Sequence, residues 1–220
     1  MTKLEKFNAT LEEVVDNLYH LKFPEQEDLG RTFVRFQEHY EGAEFRGKIF
    51  TLDEFEKWYI PNSEQGKKTG KFTYYEDWTG YNVPSKTLEP FFQGNFNPLS
   101  EHEENILNAF ENKRKNKFYL IGTLQDATSA DIGHEKAHGL FYLNPEYRTK
   151  ILEVLGNMNP KDKKIVENFL ISLGSYHPEV YDNEIHAYLL DRRCIGKNGV
   201  SSPGLKIAGK EIKKIFKKYS

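Results

Sequence analysis

Apolar side chains at Leu4, Phe7, Leu11, Val14, Val15, Leu18 and Leu21 recur at three- and four-residue intervals with acids between them. This period predicts an amphipathic helix over residues 4–21. Thr32–Tyr40 and Lys48–Phe50 are apolar enough for strand or short helix. Thr51 and Glu54 have capping-box spacing ahead of Phe55, Trp58 and Tyr59, which predicts a helix, and Ser100 with Glu103 does the same for Pro98–Phe110. The Gly, Ser and Lys content of residues 62–71 predicts a flexible loop. Phe72–Pro84 is dense in aromatics and reads as a core strand and turn in preference to a pocket lining, and Lys117–Thr123 reads as a strand.

Past residue 127 the pattern turns helical. Thr128-Ser129-Ala130-Asp131 offers capping residues for a helix to Tyr142, with Ile132, Ala137, Leu140 and Phe141 on its apolar positions and Gly139 and Asn144-Pro145 expected to stop it. Pro145–Gly156 and Pro160–Leu173 each open on proline and end at or just before glycine, as two consecutive helices do. Val180–Leu190, introduced by Pro178 and Glu179, has helical composition. Residues 194–204 read as a glycine- and serine-rich loop, and Leu205–Tyr219 as a basic amphipathic helix whose lysines read as a solvated face in preference to a membrane or nucleic-acid contact. The expectation is one α+β domain over residues 1–220, with an aromatic-rich N-terminal subdomain at 1–116 holding a mixed sheet and helices, and a mainly helical subdomain at 117–220.

A net charge of -2 gives no electrostatic case for nucleic acid. The single cysteine, Cys194, rules out an intramolecular disulfide and fits a reducing compartment. The first residues carry acids and lack an apolar core of the kind a signal peptide needs, and no run approaches the roughly 20 apolar residues of a membrane span, so a cytoplasmic location is expected. No phosphate-binding GxxxxGK[ST] loop occurs, and no His base pairs with Cys194 in sequence.

The chemistry concentrates in His134-Glu135-Lys136-Ala137-His138, an HExxH pattern. Residues four apart on a helix stand on one face with Cβ atoms about 5–6 Å apart, so both imidazoles can address one ion. Glu135 then projects beside that ion, where a carboxylate can act as general base. A catalytic zinc needs a third protein ligand and an open position. A third His six residues on is absent, since that position holds Asn144, and the glycine of that longer motif is replaced by Phe141. Glu184, among Ile185, Ala187 and Leu189, is an acid in apolar company that needs a charged partner. Asp191, seven residues on and on the same helical face, is the fallback ligand.

The pairing of His134-Glu135-x-x-His138 with Asn183-Glu184-x-x-Ala187-Tyr188, 46 residues beyond the second His, resembles the gluzincin type of zincin metallopeptidase over roughly residues 117–191. The resemblance implies a zincin-like fold, Zn2+ held by His134, His138 and Glu184, Glu135 as general base, and a peptide or protein substrate. By the same likeness, the strand at Lys117–Thr123 would be an edge on which substrate pairs. The chain departs from thermolysin-like members four residues after the ligand Glu, where Tyr188 replaces an Asp that orients a ligating His. Asp182, Asp191 and Tyr188 are the alternative supports. For stabilising an oxyanion the candidates are His177, then Tyr181, then Tyr176, and His186 is read as structural or exposed. A catalytically inactive zincin-like interaction protein, or a hydrolase of non-peptide amides or esters, fits the same residues.

Overall fold

The computed structural model describes residues 2–4, 7–173, 176–191 and 202–220. Two compact units emerge, residues 1–127 and 128–220. The division therefore falls after the strand at 119–124, so that strand stands with the N-terminal unit and not with the metal-motif helix. The architecture is α+β with one mixed sheet.

The first unit begins with β1 (Thr2–Leu4), β2 (Ala9–Val15) and β3 (Leu18–Phe23), where the apolar period predicts a helix. Asn17, at φ 60°, and Asn8, at φ 49°, adopt the left-handed backbone that Asn tolerates, and each turns the chain before a helix could propagate. The Asn17 amide donates to the Glu13 carboxylate at 2.8 Å, closing the β2–β3 hairpin. With β4 (Gly80–Pro84) and β5 (Tyr119–Leu124) the sheet order is β1-β2-β3-β5-β4. Among the described strands only β3 and β5 run parallel, from Leu18 opposite Tyr119 to Phe23 opposite Leu124. β5 is thus interior, its backbone paired on both sides, and it offers no free edge to a substrate.

Helix α1 (Gln26–Glu41) covers this sheet, absorbing Thr32–Tyr40 into one long helix. Its close approach depends on Gly122 in β5, where an added Cβ would collide with the Phe33 ring and Leu29. α2 (Leu52–Asn62) carries the Thr51–Glu54 capping box, whereas Lys48–Phe50 has no regular structure. The expected loop at 62–71 is mostly a short helix, α3 (Glu64–Thr69), capped by the Ser63 hydroxyl and ended by Gly70 at φ 69°. The aromatic segment splits into α4 (Tyr74–Asp77) and β4: Tyr74 and Tyr81 are core, while Phe72 and Tyr75 line a surface cleft with Arg31. α5 (Glu89–Phe92) and α6 (Glu101–Phe110) complete the unit, α6 with the Ser100–Glu103 capping box. Phe91 stacks on Phe96 with ring centroids 3.8 Å apart.

Glu38, on the half-buried flank of α1, hydrogen-bonds to Tyr74, and desolvation pushes its carboxyl up to about 7 from an ordinary 4.5. The folded state holds this proton more tightly than the unfolded chain. Its stabilising contribution is therefore complete below about 4.5 and is lost as the pH rises through about 7. Urea denaturation of Glu38→Gln across that window should show a flatter pH dependence than the parent; an unchanged slope would place the titration elsewhere.

The second unit is helical among its described residues: α7 (Ser129–Leu143), α8 (Pro145–Gly156), α9 (Pro160–Leu173), α10 (Tyr181–Asp191) and α11 (Pro203–Tyr219). α7 runs through Gly139, which is buried and does not end it; Asn144 does, donating its backbone N–H to Leu140 and accepting from the Tyr147 amide to start α8. α10 packs against α7, α8, α9 and α11 and is buried from Asn183 to Leu190, which makes it the centre of the unit. The loop expected at 194–204, with Cys194, lies mostly outside the described residues. No described helix is long and apolar enough to cross a membrane.

Candidate metal centre

Two helices build the centre. α7 is started by a full capping box: the Thr128 hydroxyl accepts from the Asp131 amide, and the Asp131 carboxylate accepts from the Thr128 amide at 2.9 Å. This fixes the helix one turn before His134, so His134 and His138 share a face, with ring centroids 4.9 Å apart at 74°. α10 crosses that face with Glu184. His134, His138 and Glu184 each offer a ligand atom within 4.8 Å of the others, and all three are buried, so the group could hold a metal ion. Nε2 of His138 stands 3.8 Å from the Glu184 carboxylate.

The remaining contacts orient the rings. Nδ1 of His134 lies 2.8 Å from the Asp191 carboxylate, and both side chains are nearly inaccessible. An ionised carboxylate only accepts, so in that pairing Nδ1 carries the proton and Nε2 keeps the lone pair a metal requires. Asp191 is therefore beside the ligand group and not in it, supplying the imidazole support that Tyr188 cannot. His138 is held well below its ordinary value of 6.5, by burial first and then by His134 and His186, and is neutral. Asn183 lies close to its side chain, while Nδ1 of His138 is buried without a hydrogen-bond partner among the described residues.

Glu135 is buried next to His134. Tyr188 meets the His134 ring edge-on at 4.9 Å, and its hydroxyl is 2.9 Å from that of Tyr176. Burial, then the Glu184 charge, raises the Tyr188 phenol, so it stays a proton donor. The sequence offers Tyr188 as a candidate support for the imidazoles, and the structure sets it edge-on to the His134 ring. His177 accepts from the Glu179 amide at 3.3 Å, capping the short turn Pro178–Val180, and Tyr181 is the half-buried first residue of α10. Neither belongs to the three-ligand group. Asp182 pairs with Lys163 at 2.9 Å. His186 is fully buried, stacked on Phe141, with Nε2 3.3 Å from the Ala137 carbonyl, and burial lowers it to about 4. It is a neutral pin between α10 and α7, not an exposed residue.

No family model, curated protein or solved structure matches the chain.

Proposed function

We propose that the chain is a zinc-dependent hydrolase of the zincin type, cleaving peptide bonds with water and Glu135 as general base. The observation that carries this reading is the convergence of His134, His138 and Glu184, from helices 46 residues apart, into one buried group of two nitrogen donors and one oxygen donor. That donor set suits zinc with a position left open. When bound, zinc polarises a carbonyl and brings the pKa of a water to about 7.

The chain's own residues do the rest. Asp191 holds the His134 ring in the ligating tautomer. Glu135, buried and adjacent in sequence to His134, would take the proton of the attacking water and return it to the leaving amine. Tyr188, with Tyr176 behind it, has a phenolic O–H that can donate to a developing oxyanion, and His177 and Tyr181 remain further candidates for that task.

A peptide library incubated with the full chain and read by mass spectrometry tests the activity. Cleavage should stop on adding a zinc chelator and return with excess zinc. Zinc binding without any cleavage would leave a structural metal in an interaction protein, and chelator-resistant cleavage would discard the mechanism.

A further inference from the structure

The six lysines of α11 form an ordered array. Lys206, Lys210, Lys213 and Lys217 recur at four-, three- and four-residue spacing, so at about 100° per residue they lie within an arc of about 60° and make a straight ridge roughly 16 Å long. Lys214 and Lys218 flank it. The opposite side of the helix, with Leu205, Ala208 and Ile212, is buried against α8 and α10, so the ridge faces outward and the six lysines are exposed.

Several other lysines of the chain are paired: Lys48 with Glu44, Lys57 with Asp53, Lys150 with Glu146, Lys163 with Asp182. Among the described residues, none of the α11 lysines has an ion pair. Glu211 is the one acid in a helix bearing six lysines, within a chain of net charge -2. Four lysine pairs stand at i,i+4, an arrangement that destabilises a helix by like-charge repulsion. Ile207, about 60° round the helix from the ridge and at a cleft it shares with Glu153, Asp162 and Glu211, is 65% exposed.

We propose that this face of α11 docks the protein on an anionic lipid bilayer, its lysines against headgroup phosphates and Ile207 inserted at the interface. The array contains no arginine and no aromatic residue on the ridge, so it lacks the bidentate and stacking groups that nucleic-acid recognition uses. Compact ammonium charges in a row fit a fluid plane of phosphates, where each lysine raises partitioning by about fivefold. The apolar face of the helix is already committed to the fold. The contact is therefore peripheral and salt-sensitive.

Co-sedimentation of the full chain with vesicles of phosphatidylcholine alone, and of phosphatidylcholine with phosphatidylserine, tests this. Binding is expected only to the second, weakening as salt is raised. Lys206→Gln, Lys210→Gln and Lys213→Gln together should lower the partition coefficient by roughly 100-fold. The matched triple at Lys67, Lys68 and Lys71 should leave it unchanged. The salt titration of the unaltered protein keeps the test decisive if circular dichroism shows the α11 variant unfolded. Absence of binding to phosphatidylserine vesicles, equal loss in both triples, or tighter binding to duplex DNA at the same salt would each overturn the assignment.

Discussion

Glu135→Gln is expected to retain its metal while losing hydrolysis by about 10²- to 10⁴-fold or more, the contribution of a positioned general base. The amide preserves the shape of the buried side chain next to His134 but cannot take a proton from water. The three ligand atoms on His134, His138 and Glu184 are untouched. Metal content and turnover of a library-derived peptide, measured on the same preparation, separate the two roles. If Glu135→Gln lost metal as readily as His138→Ala, Glu135 would be a ligand and the division of labour would be wrong.

The largest effect on stability is expected at the Arg35–Glu103 pair, which ties α1 to α6 inside the first unit. The Arg35 side chain is 6% exposed and that of Glu103 2%. The guanidinium donates to both Glu103 oxygens, through Nε at 2.7 Å, and also to the carbonyls of Phe96 at 3.0 Å and Pro98 at 3.2 Å. Glu103 also accepts from the Ser100 amide at 2.7 Å, so it holds the start of α6 as well. Glu103→Ala leaves a buried guanidinium without its counter-ion and should cost about 3–5 kcal/mol in urea denaturation. The double replacement Arg35→Met with Glu103→Leu removes both charges and should recover much of that loss. A single-variant cost below about 1 kcal/mol would mean water reaches the pair.

What the sequence revealed depended on how local the determining physics is. Capping boxes at Thr51, Ser100 and Thr128 are set within four residues, and the helices they announce are present. The proline starts of α8 and α9 follow the same logic. The segment 4–21 failed because its apolar spacing suits a helix, while its structure is fixed by partners far away: β3 pairs with β5, about 100 residues on. The expectation of a substrate-pairing edge at β5 failed for the same reason, since nothing in residues 117–123 announces that β4 covers its far side.

In the candidate metal centre, His134 and His138 were legible because one helix turn fixes their geometry. Glu184 was reachable from its apolar neighbours and the family resemblance, and the structure places it with the two histidines. The support of His134 by Asp191 was only one of several possibilities, because it depends on the crossing of α7 and α10, which no local signal encodes. His186, two residues from Glu184 and off the ligand face, reads from sequence as structural or exposed, and tertiary packing decides for the structural role by burying it.

Elemental analysis of the full chain, purified without chelator in zinc-sufficient buffer, tests the central claim most directly. The account requires about one zinc per chain, lost on His138→Ala or Glu184→Ala while circular dichroism still reports a helical protein. A folded parent protein that carries no zinc, or one whose zinc survives both substitutions, would contradict it.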